Sequence, residues 1–90
     1  MKDITEEVKP LFKSYAMSCY DEIKAIEDDH GEKRVMCRFV KENPYGHGQY
    51  DVFEYHPESD ISPLNPGQFE LTKDEAEKLL WNGLDVQMCR

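Results

Sequence analysis

Residues 34–55, RVMCRFVKENPYGHGQYDVFEY, contain two runs of β-favouring residues separated by a loop. Arg34 to Val40 would place Val35, Cys37 and Phe39 on one side of a strand, and Gln49 to His56 carries tyrosine, valine and phenylalanine. The loop Asn43 to Gly48 contains proline and glycine, which favour turns. The stretch therefore predicts a β-hairpin and, with it, a fold built on an antiparallel sheet.

The same stretch suggests a register for the two strands. Pairing Phe39 with Tyr50 and Cys37 with Val52 gives one apolar face, and it sets Arg38 opposite Asp51 as a favourable cross-strand pair. The other face would then hold a mixed set of side chains: Arg34, Met36, Arg38, Asp51, Phe53 and Tyr55.

Apolar residues recur at helical spacing before the hairpin. They are Ile4, Val8, Leu11, Phe12, Tyr15, Ala16, Cys19, Ile23 and Ile26. This periodicity predicts one long amphipathic helix from about Thr5 to Asp29, ended by Gly31. Pro10 either kinks this helix or marks its start, and the pattern leaves both possibilities open.

The chain after the hairpin is predicted to alternate between loop and short elements. Pro57 to Gly67 contains three prolines and reads as an irregular loop. Gln68 to Leu71 resembles a short strand, and Thr72 with Glu75 forms a capping box. The capping box begins a helix that runs through Ala76, Leu79 and Leu80 and ends at Asn82-Gly83. After it, Leu84, Val86 and Met88 alternate with polar residues, which predicts a last strand.

These elements predict a single α+β domain spanning residues 1–90. Its sheet would be small, antiparallel or mixed, with about three to four strands. A long N-terminal helix and a short second helix would pack against it, in the order α-β-β-β-α-β. A chain of 90 residues is too short for two separate cores.

The formal net charge of −8 is distributed unevenly. Residues 1–41 carry −1 and residues 42–90 carry −7, and no lysine or arginine occurs between Glu42 and Thr72. Because phosphate groups are bound by Lys and Arg, this charge argues against nucleic acid or an anionic membrane as a direct ligand. The acidic half instead predicts a protein partner with a basic surface.

The base-free stretch interleaves acids with aromatic residues, and it is the predicted partner-binding site. Carboxylates there would supply electrostatic attraction, and tyrosines would supply rigid contact area. The predicted contact residues are Tyr45, Tyr50, Asp51, Phe53, Glu54, Tyr55, Glu58, Asp60 and Glu70.

Cysteine and histidine residues give no catalytic or metal-binding pattern. Cys19, Cys37 and Cys89 have no close pair, which indicates free thiols in a reducing compartment and a cytoplasmic protein. The histidine spacings match no zinc motif, so no metal, cofactor or catalytic residue is predicted. An alternative of another class remains: a small metal-dependent enzyme that uses His30, His47 or His56.

The function expected from these features is that of a non-catalytic inhibitor. Its acidic half would dock on the basic, nucleic-acid-binding surface of a partner enzyme. Anti-defence proteins of phages and mobile elements, such as anti-CRISPR and anti-restriction proteins, are similar in size and composition. Three alternatives belong to the same class of interaction proteins. They are a toxin-nuclease immunity protein, an accessory regulatory domain and a self-associating regulatory subunit.

Overall fold

A computed structural model describes residues 1–14, 20–39 and 49–83, and in this part of the chain a five-stranded antiparallel sheet is accompanied by two helices. The strands are β1 (Lys2–Asp3), β2 (Tyr20–Glu27), β3 (Lys33–Phe39), β4 (Tyr50–Tyr55) and β5 (Leu64–Leu71). The helices are α1 (Thr5–Ser14) and α2 (Lys73–Asn82). The predicted α+β class is confirmed, with more strands and a shorter first helix than expected.

Each strand pairs with its neighbour in the sequence, so the sheet order is β1-β2-β3-β4-β5. All four pairings are antiparallel. Among the strands of residues 1–14, 20–39 and 49–83, β1 and β5 therefore form the two edges, and β3 lies at the centre.

The two helices cover opposite faces of the sheet. Val8 and Phe12 of α1 pack with strand residues that include Val35 and Phe53, whereas α2 packs on strand residues that include Met36. The second core comprises Ile26, Met36, Tyr50, Val52, Ala76, Leu79 and Leu80. Because successive side chains in a strand point to opposite faces, adjacent residues such as Val35 and Met36 enter different cores. The central strands are consequently apolar on both sides.

The prediction of a long helix to Asp29 is wrong. Helix α1 ends at Ser14, and Tyr20–Glu27 forms β2; residues 15–19 lie outside the described part. In β2, Ile23 packs on the core beneath α1 and Ile26 lies in the core beneath α2. Apolar residues on both faces of a strand therefore produced a spacing of three that resembles a helical repeat.

Two residues that were expected to bound the long helix have other roles. Gly31 lies in the turn between β2 and β3 with φ of 85°, a conformation that glycine adopts without steric cost. Pro10 lies inside α1, which already begins at Thr5, so it does not mark the helix start.

The predicted hairpin is confirmed as β3 and β4, but its register is wrong by one residue. Cys37 pairs with Asp51 rather than Val52, and Arg38 pairs with Tyr50. The predicted register assumed a single apolar face, whereas helices cover both faces here. Val52 instead lies opposite Met36, and both are buried in the core beneath α2.

Strand β5 begins earlier than predicted, because Leu64–Gly67 belongs to the strand and not to the loop. Proline is tolerated in edge strands, which need fewer backbone hydrogen bonds than central strands, and β5 has β4 as its one neighbour among the described strands. The register of β4 and β5 shifts on both sides of Val52. The sequence pattern favoured a loop because of this proline and the glycine after it.

The second helix follows the prediction. Thr72 accepts a hydrogen bond from the Glu75 N–H at 3.2 Å, and the Glu75 carboxylate accepts one from the Thr72 N–H at 3.0 Å, which confirms the capping box. Gly83, with φ of 101°, caps the other end by donating its N–H to the Leu79 carbonyl. The predicted strand through Leu84, Val86 and Met88 lies outside the described residues.

Cys37 is buried in the core beneath α1, where its Sγ lies 3.9 Å from the Asp51 carbonyl oxygen. Cys19 and Cys89 lie outside the described residues. Neither α1 nor α2 has the length and apolar character that a membrane span requires.

Candidate interaction surface

The structure divides the nine predicted contact residues between the interior and the surface. Tyr45 lies outside the described residues. Four members have buried side chains: Tyr50, Asp51, Phe53 and Tyr55. Glu54 is half-buried, and Glu58, Asp60 and Glu70 are exposed. The buried members hold the sheet together, and the exposed carboxylates are the ones that a partner can reach.

The buried aromatic residues of β4 serve both cores. Phe53 and Tyr55 belong to the core beneath α1, and Tyr50 belongs to the core beneath α2. The Tyr55 hydroxyl donates to the Glu7 carboxylate of α1 at 3.2 Å. Burial, together with the negative charge of Glu7, raises the pKa of Tyr55. The aromatic part of the predicted site is therefore internal.

Asp51 links three strands from a buried position. Its carboxylate accepts hydrogen bonds from the Tyr20 hydroxyl on β2 at 2.8 Å and from the Glu70 N–H on β5 at 3.0 Å. Glu70 has φ of 59°, which is uncommon for a residue with a Cβ atom. The bond from its N–H to Asp51 helps to hold this conformation, so Asp51 is a positioning residue for the edge strand.

Tyr50 belongs to a second polar cluster on the neighbouring strands. Its hydroxyl donates to Glu22 at 2.6 Å, and Glu22 has φ of 48° in the bulge of β2. Arg38 pairs with the same Glu22 at 3.3 Å and binds Asp21 through two hydrogen bonds of 2.9 and 2.8 Å. The bond to Asp21 is the main cause of a raised pKa for Arg38. This cluster fixes the bulge.

The hydrogen bond to Glu22, helped by burial, raises the pKa of Tyr50 from 10.0 to about 12. Between these two pH values the unfolded chain ionises at this residue while the folded chain does not. The free energy of unfolding is therefore expected to fall as the pH rises from 10.0 to about 12. Urea denaturation at a series of alkaline pH values measures this slope. Tyr50→Phe should reduce the slope, and an identical slope in the variant would contradict the assignment.

The surface carboxylates lie at two ends of β5. Glu54 pairs with Asn65 near the start of β5, and Glu58 and Asp60 lie in the connection that leads into this end. Glu70 lies near the other end of β5. Six residue steps at about 3.3 Å per residue separate Leu64 from Glu70 by about 20 Å. This exceeds the screening length of about 8 Å at physiological salt, so the two ends act as separate charged patches.

Two of the three histidines, His30 and His56, lie in the described part of the chain. His30 lies in the turn after β2, where its backbone N–H donates to the Asp28 carboxylate at 2.8 Å. The Nε2 atom of the His56 ring lies 3.1 Å from the Glu54 carboxylate. His47 lies outside the described residues. Across residues 1–14, 20–39 and 49–83, no group of three His, Cys, Asp or Glu side chains could hold a metal ion.

Sequence reasoning missed the contributions of Tyr20, Asp21, Glu22 and Arg38. The first three were assigned to a helix, and Arg38 was expected to pair with Asp51 across the hairpin. Alternation of polar and apolar residues in 20–27 would have indicated a strand, but the bulge at Glu22 interrupts it. No protein-family model, characterised protein or solved structure matches the chain.

Proposed function

We propose that this protein is a non-catalytic, acidic interaction protein that inhibits a partner enzyme by docking on its basic, nucleic-acid-binding surface. One observation supports this function. Glu58, Asp60 and Glu70 are exposed along the connection and edge strand after β4, in a stretch that has no lysine or arginine from Glu42 to Thr72. The acidic charge of this edge is thus not neutralised by bases of the same stretch.

Such an edge can compete with nucleic acid for a cationic surface. Carboxylates can occupy the places that phosphates take, and long-range attraction raises the rate of encounter. An edge of about 20 Å corresponds to about six phosphates at 3.4 Å along one strand. The carboxylates are fewer than that, so part of the affinity must come from other contacts.

The proposed partners are nucleic-acid-handling enzymes, and the proposed setting is that of phage or mobile-element anti-defence proteins, including anti-CRISPR and anti-restriction proteins. A toxin-nuclease immunity protein would use the same physical principle, with a toxin as its partner. The identity of the inhibited enzyme distinguishes these two possibilities.

A charge-reversal experiment tests the proposal. The test variant is Glu58→Lys with Asp60→Lys, because both side chains are exposed, and Asp51 is left unchanged because it is buried. The protein is added to a panel of restriction endonucleases, CRISPR nucleases and nuclease toxins, and DNA cleavage is measured. At least one enzyme should be inhibited, and excess DNA or higher salt should relieve the inhibition. The test variant should inhibit at least tenfold less strongly, a change of about 1.4 kcal/mol.

The matched control is Glu6→Lys with Glu27→Lys, which gives the same net charge. Glu6 lies on α1 and Glu27 pairs with Lys2 at the opposite edge of the sheet. Glu7 is left unchanged because its carboxylate accepts a hydrogen bond from the Tyr55 hydroxyl. Equal inhibition by the test and control variants, inhibition that ignores salt, or no inhibition of any enzyme in the panel would contradict the proposal.

A further inference from the structure

Ile61 is the most exposed large apolar residue in the described part of the chain. Its relative exposure is 95 %, whereas Phe69 and Trp81 are 46 % and 38 % exposed and Met1 is 58 % exposed at the terminus. Single exposed apolar residues are common on protein surfaces. Ile61 differs from the others because almost none of its side chain contacts the protein that carries it.

The loop that carries Ile61 is ordered by its own hydrogen bonds. The His56 N–H donates to the Pro63 carbonyl at 2.7 Å and closes the base of the loop. The Ser59 hydroxyl oxygen accepts the N–H groups of Ile61 and Ser62, each at 3.3 Å. The Ser62 hydroxyl in turn donates to the Leu64 carbonyl at 2.9 Å. The loop therefore holds Ile61 outward in a defined conformation.

This arrangement reduces the entropy that binding would cost. The loop backbone is already ordered, and a β-branched side chain has few rotamers to lose. The two acids of the loop, Glu58 and Asp60, are exposed on the same short segment as Ile61. An apolar side chain that directly follows two exposed carboxylates in the same loop is complementary to an apolar pocket with a cationic rim.

We infer that Ile61 is the apolar anchor of the interaction surface, and that it inserts into an apolar pocket rimmed by Lys or Arg on the partner protein. This inference rests on the proposed function. Ile61 would provide the additional affinity that the small number of exposed carboxylates cannot supply. Glu58 and Asp60 orient the loop towards the cationic rim, and Ile61 provides the buried contact.

A cationic host molecule reproduces this chemistry without the natural partner. The probe is α-cyclodextrin whose narrow rim carries ammonium groups, since its apolar cavity admits an aliphatic side chain. The neutral parent ring is the control for charge. Binding is followed by NMR at the Ile61 methyl groups, and thermal denaturation confirms that each variant is folded.

The cationic ring should bind at Ile61 and more tightly than the neutral ring. Ile61→Ser should weaken binding of the cationic ring by roughly tenfold, the lower end of what burial of an isoleucine side chain contributes. Ile61→Leu should retain it. Glu58→Gln with Asp60→Asn should remove the preference for the cationic ring. Binding elsewhere on the protein, or equal binding by Ile61→Ser, would overturn the inference.

The two proposals can fail separately. If Ile61→Ser weakens ring binding by roughly tenfold while no enzyme in the cleavage panel is inhibited, the apolar contact at Ile61 stands and the proposed function fails. If the charge-reversal variant loses enzyme inhibition while Ile61→Ser inhibits as well as the unchanged protein, the proposed function stands and the anchor is wrong.

Discussion

Replacing Phe12 with alanine is expected to lower the free energy of unfolding by about 3 to 5 kcal/mol. Phe12 is 2 % exposed, and its ring meets those of Tyr20 and Phe53 edge-on at centroid distances of 5.9 and 6.4 Å. The substitution removes the aromatic contact that joins α1 to two strands, and it leaves a cavity that the neighbouring rings cannot fill.

Chemical denaturation of the purified variant measures this loss. Leu11→Ala is the control, because Leu11 is the preceding residue of α1 but is only half-buried. The control should lose clearly less stability. Equal losses would mean that α1 does not place Phe12 in the core as described.

Arg34→Ala is expected to cost about 3 kcal/mol, because its guanidinium connects two distant parts of the chain from a buried position. Its Nε donates to the Leu80 carbonyl of α2 at 2.8 Å, and its Nη1 pairs with Asp28 in the turn after β2 at 3.0 Å. The side chain is 6 % exposed. Loss of the guanidinium leaves both acceptors without this partner.

The stabilisation that the ion pair of Arg34 with Asp28 provides should depend on pH. Burial opposes ionisation of Asp28, but the N–H groups of Glu32 and His30 and the charge of Arg34 more than offset this, so the pKa of Asp28 lies below its ordinary value of 3.8. A lowered pKa stabilises the fold above 3.8, and this contribution is lost as the pH falls through the folded-state pKa. The difference between the unchanged protein and Arg34→Ala should therefore shrink in acid.

Two further variants separate the causes. Arg34→Met keeps an apolar stem of similar length, so it should lose less stability than Arg34→Ala. Arg38→Ala removes an arginine that has two ion pairs, with Asp21 and Glu22, but is 35 % exposed, and solvent screening should make its effect smaller. An Arg38→Ala loss as large as that of Arg34→Ala would show that burial is not what makes Arg34 important.

The sequence predicted the elements whose signals are local. The capping box of Thr72 and Glu75 depends only on side chains three residues apart, and Gly83 ends the helix through its own backbone conformation. The hairpin was likewise visible as two runs of β-favouring residues on either side of a loop that contains proline and glycine. These features do not depend on what covers the sheet.

The wrong hairpin register and the burial of predicted contact residues have one physical cause, which is that a helix covers each face of the sheet. With two covered faces, β4 is buried on both sides, and the alternation that would fix its register is lost. For the same reason Tyr50 and Phe53, predicted to contact a partner, are buried. The exposed carboxylates Glu58, Asp60 and Glu70 remain the part of the predicted site that a partner could contact.

The sequential order of the strands also bears on how the chain reaches its fold. Pairings of neighbours such as β2 with β3 close only a short turn, so they lose little chain entropy when they form. The pairing of Lys2 with Glu27 must enclose the whole of α1 and closes the longest loop among the described pairings. Assembly can therefore proceed one hairpin at a time without threading, with the N-terminal strand added last to a sheet that is already formed.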